Sequence, residues 1–323
     1  MKKNLFSKLG LGAVVCLLLL CVAMPAAAGY PESPVSLIIT YSAGGASDFQ
    51  ARLVTMLASN ENYLGQPVVI INKPGAGGKV GWNWMVTKAP TDGYTMGSYN
   101  VPHFIAQSIK YKTDYNYQAF EPVANWGADP AVLIVPADSP FNTVKDLLDY
   151  AKENPGKVTV NGAGLYVGHH IAALQLMEAT GVKLTYIPEK GGAPAMTSVV
   201  GGKVKAGFNN LSDAFRNQSR IKILAIADLE RHEFIPEVPT FVELGYPAVD
   251  ETSVNYRGVF YPKGTAPEII EKASEVFVKM FKDPKVLKMM KNGGCPVKVM
   301  TRQQVQKMFN ERQIALSKIF AKK

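Results

Sequence analysis

Four glycine-rich loops hold the residues of this chain that are best placed for ligand chemistry. Residues 42–47, 162–168 and 190–195 each join a predicted strand to a predicted helix, and a fourth loop spans 74–78. Glycine lets a ligand approach the backbone closely, and free N–H groups at a helix N-terminus attract anions. One such loop alone is usually an ordinary turn. Several at the carboxyl ends of strands favour a crevice site for an anion.

These loops lack a nucleotide-binding fingerprint. Residues 75–80 and 162–167 both begin G-x-G, but neither has the last glycine of G-x-G-x-x-G, and G-x-x-x-x-G-K-[ST] is absent. We therefore expect no bound nucleotide and no other cofactor.

Catalytic and metal-binding patterns are missing as well. H-E-x-x-H, C-x-x-C and G-x-S-x-G do not occur. His169 and His170 are adjacent, so on a helix they point about 100° apart and cannot share a metal ion. Cys295 follows two glycines and suits a packed turn better than a nucleophile, and Asp48 is typical of a helix cap. The sequence therefore predicts a binding protein rather than an enzyme.

Alternating strands and helices position the loops. We predict strands over 35–41, 66–72 and 95–99, with helices over 48–57 and 80–88 between them. The same alternation restarts after residue 130, with strands at 131–135, 158–161, 184–187, 206–209 and 223–227. This pattern is typical of a parallel sheet covered by helices. A late strand at 258–261 and helices at Pro267–Phe281 and 301–320 are too short for a separate domain and are expected to pack on the first one.

The N-terminus has the pattern of an export signal. Lys2, Lys3 and Lys8 precede an apolar run over 9–24 and small residues at 26–28, which predicts a signal peptide over 1–28 cleaved near Ala28. A membrane anchor is the alternative, but the run is short for a span. Leu20 before Cys21 departs from the lipobox pattern, so a lipidated form is a minor alternative.

The composition of the remaining chain suits a globular protein. The 323 residues are 47% hydrophobic, which suggests about two domains and argues against disorder. Without the three signal lysines the formal net charge falls from +9 to +6, and the basic residues are spread along the chain. We therefore expect no nucleic-acid partner. Cys295 is the only cysteine after the signal, so an intrachain disulfide is excluded.

Seven ordered blocks of sequence cover the mature chain. They include YSAGG-x-x-D at 41–48, N-x-PGAGG at 72–78, DGYT at 92–95, KGGAPA at 190–195 and GGKV at 201–204. Together they resemble the substrate receptors of tripartite tricarboxylate transporters, also called Bug receptors.

The resemblance implies an α/β periplasmic binding protein with two Rossmann-like lobes joined by a hinge. Residues 29–130 and 255–323 would form the first lobe, residues 131–254 the second, and the lobes would close on a small organic carboxylate. The receptor would deliver this ligand to the integral membrane permease subunits of the transporter, and we expect a monomer. An exported protein that signals to a partner would bind in the same way, so this alternative stays open.

The resemblance also implies which residues bind the ligand. In the family, backbone amides of the first loop and of the second-lobe loops grip the carboxylates, and here the N–H groups of Ala43, Gly44 and Gly45 would be the main donors. The full set carried over is Tyr41, Ser42, Ala43, Gly44, Gly45, Asp48, Gly77, Gly78, Ala163, Gly164, Tyr166, Val167, His170, Lys190, Gly191, Gly192, Ala193, Asn209 and Asp213.

One second-lobe loop departs from the family pattern G-S-x-G-x-G-S-x-x-H. His170 keeps the last position, but Gly162 or Ala163 and then Val167 stand where hydroxyl side chains are usual, and Tyr166 replaces a glycine. The loss of two donors and the gain of a ring favour an aromatic, amide-bearing or less charged carboxylate over a simple di- or tricarboxylate.

Overall fold

Two separate β-sheets organise the chain. The computed structural model describes residues 29–321, so the predicted signal peptide over 1–28 lies outside the described residues. The strands are β1 (Val35–Ile39), β2 (Val68–Asn72), β3 (Thr95–Val101), β4 (Phe120–Asp129), β5 (Ala131–Pro136), β6 (Thr159–Gly162), β7 (Thr185–Pro188), β8 (Ala206–Asn210), β9 (Ile221–Ala227), β10 (Asn255–Pro262) and β11 (Val297–Met300). The first sheet has the order β11-β4-β10-β3-β1-β2, and the second has the order β7-β6-β8-β5-β9.

Helices cover both sheets. They are α1 (Ala46–Val54), α2 (Lys79–Thr87), α3 (His103–Lys110), α4 (Val144–Glu153), α5 (Gly168–Thr180), α6 (Gly192–Val200), α7 (Leu211–Arg216), α8 (Pro267–Phe281), α9 (Pro284–Asn292) and α10 (Arg302–Ala321). Within residues 29–321, no helix combines the length and the hydrophobicity that crossing a membrane requires.

Each sheet has a parallel part and an antiparallel part. β1 pairs in parallel with β2 and β3, and β6 pairs in parallel with β7 and β8. β10 runs antiparallel to β3 and β4, and β5 runs antiparallel to β8 and β9. The expectation of a parallel sheet is therefore wrong for these strands. Strands β4, β5 and β10 carry the chain from one sheet to the other, so they do not follow the helical crossovers that parallel pairing needs.

The central strands are buried on both faces. In β1, Leu37 joins one hydrophobic core with residues of α1 and α8, while Ile38 packs on the opposite face with Trp82. In β5, Leu133 faces one core of the second sheet and its neighbour Ile134 faces another. Strands of this kind appear in a sequence as continuous apolar runs, which is why these two could be located in advance.

Two chain crossings link the sheets. β4 ends at Asp129 and β5 begins at Ala131, so only Pro130 separates them. The return passes through a short 3-10 turn, Glu251–Ser253, into β10. The crossings lie side by side, because Asn255 pairs with Asp129. The result is the expected two-lobed α/β fold with a hinge.

The C-terminal helix closes one face of the first sheet. Phe309 of α10 packs against Phe104 of α3, with ring centroids 5.2 Å apart. The predicted capping pattern at its start is confirmed, because the Thr301 N–H donates to Gln304 Oε1 at 2.9 Å. Helix α3 itself, like β4, β11, α7 and α9, was not among the predicted elements.

Candidate functional site

The loops after β1, β6 and β7 meet in the cleft between the two lobes. Residues from the first turns of α1, α5 and α6 line one buried cavity there. The cavity is small: the centre of a water-sized atom has about 20 Å³ of space in it. Free N–H groups and the positive ends of helix dipoles favour an anion in such a place. The full lining is Tyr41, Ser42, Gly45, Ala46, Ser47, Asn100, His103, Ala163, His169, Gly192, Ala193, Asn210 and Asn255.

Direct contacts join the first loop to the second lobe across this cavity. The Ser42 hydroxyl donates to the Lys190 carbonyl at 3.3 Å. A Cβ on Gly191 would lie 3.7 Å from Ser42 Oγ. Of the residues predicted to bind ligand, Tyr41, Ser42, Gly45, Ala163, Gly192 and Ala193 are in the lining.

Other predicted residues lie at the mouth of the cleft. Gly77, Gly164 and Lys190 line a more open space of about 350 Å³. A Cβ on Gly164 would lie 3.0 Å from the Gly77 Cα, so the two backbones are in contact across the cleft. Gly78 packs against Trp82, whose ring would lie 2.6 Å from a Cβ at that position.

The first loop does not offer the three amides expected from the resemblance. Ala43 and Gly44 are exposed and are not in the cavity lining. The Gly44 N–H donates to Asp48 Oδ2 at 3.0 Å, and the Gly45 N–H points to the Ser42 carbonyl at 3.4 Å. The N–H groups of Gly44 and Gly45 thus have partners within the loop, and a role of these amides as the main ligand donors stays a prediction.

Asp48 acts within the first loop. Its carboxylate accepts hydrogen bonds from Gly44, Asn72 and Arg52. Burial raises the pKa of Asp48, but the hydrogen bonds from Arg52, the Gly44 amide and Asn72 outweigh it, so the pKa is lowered. Asp48 therefore stays ionised and holds the turn in shape.

Tyr166, Val167 and His170 support the second-lobe loop. The Tyr166 N–H donates to His170 Nδ1 at 3.1 Å. Tyr166 has φ +55°, and its ring packs on Tyr111 at 5.2 Å and on Phe320 at 5.6 Å between ring centroids. Val167 is fully buried at the start of α5. None of the three lines the cavity.

Asn209 and Asp213 contact residues of the cavity lining but do not line the cavity themselves. Asn209 Nδ2 donates to the Gly192 carbonyl at 3.2 Å. Asp213 forms an ion pair with Arg216 and accepts from Asn210 Nδ2 at 3.3 Å. Burial raises the pKa of the Asp213 carboxyl, and the Arg216 charge opposes this. Both residues thus hold lining residues in place.

Several lining residues were missed by sequence reasoning. Among the described residues, the buried atoms Asn100 Oδ1, His103 Nδ1 and His169 Nε2 have no hydrogen-bond partner. Asn100 lies near the end of β3, and Asn255 lies at the start of β10. Polar residues at the ends of apolar strands are visible in the sequence and could have marked both as candidate site residues. Ser47 comes two positions after Gly45. The loop over 42–47 was predicted to bind through its backbone, and the Ser47 side chain was not predicted to take part.

The charged side chains of Arg257 and Asp129, close to the cavity, form a buried ion pair. Arg257 Nη1 lies 2.6 Å from Asp129 Oδ2, and both side chains are at most 1% exposed. Burial lowers the pKa of His103 well below its usual value and that of His169 to about 4, so both rings are neutral at physiological pH. A charged ligand group would therefore be held by N–H and O–H donors and by helix ends rather than by a side-chain cation.

Within 29–321, no group of three or more His, Cys, Asp or Glu side chains is arranged to hold a metal ion. Cys295 is buried, and burial raises its pKa to about 12, which suits a packing role.

The sequence matches a known receptor family. Residues 51–323 match the family model described as the tripartite tricarboxylate transporter family receptor. A protein of Pseudomonas sp. (strain P51), named for the tcbD-tcbE intergenic region, is 34% identical over 280 residues, which is 83% of this chain and 81% of the relative.

Solved structures share the fold. The periplasmic binding protein BugD superposes with a TM-score of 0.84 at 29% identity, covering 91% of this chain and 98% of its own. Two Rhodopseudomonas palustris proteins, MatC with malate and Rpa4515 with adipate, give TM-scores of 0.82 and 0.81 at 24% identity, over 90% of this chain and 99% and 97% of theirs. The chain is thus a solute-binding receptor, not an enzyme, and it belongs to the tripartite tricarboxylate transporter receptor family.

Proposed function

We propose that this protein binds one small organic carboxylate in the cleft and delivers it to a tripartite tricarboxylate-type transporter. The observation that carries the proposal is the cavity where three helix N-termini and several unpartnered buried polar atoms meet. Unpartnered buried polar atoms are rare in folded proteins, so a group of them around one cavity indicates a polar ligand. The lining contains no Asp, Glu, Lys or Arg, which suits an anion bound by neutral donors.

Two relatives of the same fold support a carboxylate. The solved structure of MatC contains malate, and that of Rpa4515 contains adipate. The ring of Tyr166, which suggested an aromatic ligand, packs between Tyr111 and Phe320 instead of facing the cavity. We therefore propose that the cavity recognises the carboxylate group itself and leaves the rest of the ligand to the mouth of the cleft.

The place of this receptor in the cell follows from the same family. We propose that the mature chain is a periplasmic monomer whose first lobe comprises 29–130 with 255–323 and whose second lobe comprises 131–254. Its partners would be the integral membrane permease subunits. A sensing role would use the same cleft, and loss of ligand uptake on gene deletion separates transport from sensing.

A thermal-shift screen tests the binding function. We expect at least one mono-, di-, tri- or aromatic carboxylate to raise the melting temperature, because a ligand that binds only the folded state stabilises it. Amides and alcohols of the same carbon skeletons serve as controls and should give no shift. A screen in which no carboxylate stabilises the protein would contradict the proposal.

A further inference from the structure

We propose that Tyr166 is a latch between the lobes, which raises the affinity of this receptor for its ligand from outside the binding cavity. The Tyr166 ring belongs to the second lobe and packs on Tyr111 and Phe320 of the first lobe. We call these three rings the aromatic latch. The inference rests on the proposed function and gives a role to the tyrosine that departs from the family pattern.

The aromatic latch joins three elements that are distant in the sequence. Tyr166 lies in the loop between β6 and α5, Tyr111 directly follows α3, and Phe320 lies in the last turn of α10. The Tyr166 ring meets the other two at centroid distances of 5.2 and 5.6 Å and interplanar angles of 73° and 89°. Aromatic rings attract each other in this edge-to-face arrangement. The contacts therefore hold the second-lobe loop against the first lobe.

A lysine of the first lobe adds to this attraction. Lys110 Nζ lies 5.8 Å from the centroid of the Tyr166 ring and 5.2 Å from that of Phe320. An ammonium group within about 6 Å of a ring face is attracted by the negative charge of that face. Lys110 thus attracts the second-lobe ring and one of its first-lobe partners together.

The backbone of Tyr166 is unfavourable for a tyrosine. Its φ of +55° lies in the left-handed region, where the Cβ atom of any residue except glycine is crowded. Glycine, the usual residue of the family pattern, would allow the same turn without this strain. Strained residues persist where the surrounding structure compensates for them. Here the ring contacts with the first lobe are the compensation.

Hydrogen bonds fix the loop that carries the ring. The Tyr166 N–H donates to His170 Nδ1 at 3.1 Å within the second lobe. The carbonyl of the preceding residue, Leu165, accepts from Gln107 Nε2 of the first lobe at 3.1 Å. The ring is thus presented beside a second direct contact between the lobes.

The position of the partners gives the sign of the effect. Because Tyr111 and Phe320 belong to the other lobe, the ring contacts form only when the lobes are together. The latch therefore favours the closed state. A ligand that binds the closed state binds more tightly when that state is more populated in the free protein.

Matched variants separate the ring from the loop. Tyr166→Gly removes the ring but allows the same φ, whereas Tyr166→Phe keeps the ring. Phe320→Ala removes a partner on the opposite lobe. Leu165→Ala is the control for a change in the same loop, because Leu165 is exposed and does not belong to the latch.

Small-angle scattering of the unliganded proteins measures closure directly. We expect Tyr166→Gly and Phe320→Ala to have a larger radius of gyration than the wild type. Tyr166→Phe and Leu165→Ala should have the wild-type radius. With saturating ligand all variants should reach the same radius, because the ligand then holds the lobes together without the latch.

Calorimetric titration with malate, adipate and acetate measures the effect on affinity. We expect Tyr166→Gly to weaken binding about 3- to 10-fold, since an aromatic pair changes an equilibrium constant by about 2- to 10-fold. Tyr166→Phe and Leu165→Ala should bind like the wild type. In the double variant of Tyr166→Gly with Phe320→Ala the losses should be less than additive, because either change alone already breaks the contact.

The outcomes distinguish the latch from the function on which it rests. If folded Tyr166→Gly has the wild-type radius and binds a probe as tightly as the wild type, the latch is wrong and the receptor function stands. Additive losses in the double variant would also overturn the latch, because the two rings would then act independently. If the wild type binds no probe, the proposed function fails, and the radii of the unliganded variants still decide for or against the latch.

Discussion

Gly44 and Gly45 of the first loop differ in the atoms that an added side chain would contact. A Cβ on Gly45 would lie 3.9 Å from the Ala193 N–H nitrogen across the cleft, whereas a Cβ on Gly44 would meet no atom within 4 Å. Gly45 has φ −77°, which any residue adopts, but Gly44 has φ +78°. A side chain at Gly45 therefore reaches the second lobe, and one at Gly44 strains the turn.

We expect Gly45→Val to abolish ligand binding at near-normal stability, because its methyl groups would block closure. Gly44→Val should instead lower the free energy of unfolding by about 1–2 kcal/mol. Thermal denaturation and titration of both variants separate these effects. Normal affinity in folded Gly45→Val would remove the first loop from the binding site.

Buried histidines make stability depend on pH. The pKa of His169 is about 4 in the folded chain, below its ordinary value of 6.5, because burial disfavours the charged ring. Below pH 6.5 the unfolded chain gains a proton that the folded chain does not. We therefore expect the free energy of unfolding to fall from pH 6.5 to about 4, by about 3 kcal/mol for His169.

His103 adds to this loss, because its pKa is also lowered by burial, while the raised pKa of Asp213 acts in the opposite direction. Urea denaturation at several pH values measures the slope. The slope should become smaller in His169→Asn, and an unchanged slope would show that His169 is not buried as a neutral ring.

The strands that cross between the sheets depend on one buried ion pair. Asp129 at the end of β4 binds Arg257 of β10 and the Ser212 N–H at the start of α7. Removing one partner of a buried pair leaves an uncompensated charge. We expect Asp129→Ala to lose about 3–5 kcal/mol of unfolding free energy, measured by urea denaturation.

The double variant Asp129→Leu with Arg257→Met is the control for this pair. It leaves no buried charge, so it should be more stable than Asp129→Ala. If Asp129→Ala is no less stable than the wild type, the pair does not hold the crossing.

Strands and helices that a local sequence pattern encodes could be predicted, and those that depend on distant parts of the chain could not. β1 and β5 are buried on both faces and appear as apolar runs, and α8 begins at Pro267 as predicted. β4 was missed because Glu121, Pro122 and Asn125 interrupt its apolar pattern. Its strand partners, β10 and β11, come from the distant end of the chain, and no local pattern encodes such pairing.

Residues around the cavity also differ in whether a local sequence pattern could reveal them. Glycine loops can be recognised from neighbouring residues, so Ser42, Ala163 and Gly192, which line the cavity, could be named in advance as candidate ligand residues. Asn100, His169 and Asn255 reach the cavity only through tertiary packing. The hydrogen bond from the Gly44 N–H to Asp48 also depends on the folded turn.

Direct contacts join the two lobes across the cleft as well as at the chain crossings. Gln107 Nε2 donates to the Leu165 carbonyl at 3.1 Å, and Ser42 Oγ donates to the Lys190 carbonyl at 3.3 Å. The crossings at Pro130 and Glu251–Ser253 are short enough to serve as a hinge.

We expect small-angle scattering to show a smaller radius of gyration with saturating ligand than without it, because ligand favours the closed lobes. Gln107→Ala should open the unliganded protein further without unfolding it. An identical radius in both states would show that binding does not close the cleft.

One carboxylate should bind between the lobes of each chain. Calorimetric titration of wild type and Gly45→Val with the most stabilising carboxylate from the thermal screen measures this binding. We expect one site per chain in the wild type and no measurable binding in the folded variant. Equal binding by both proteins, or more than one site per chain, would overturn a single site in the cleft.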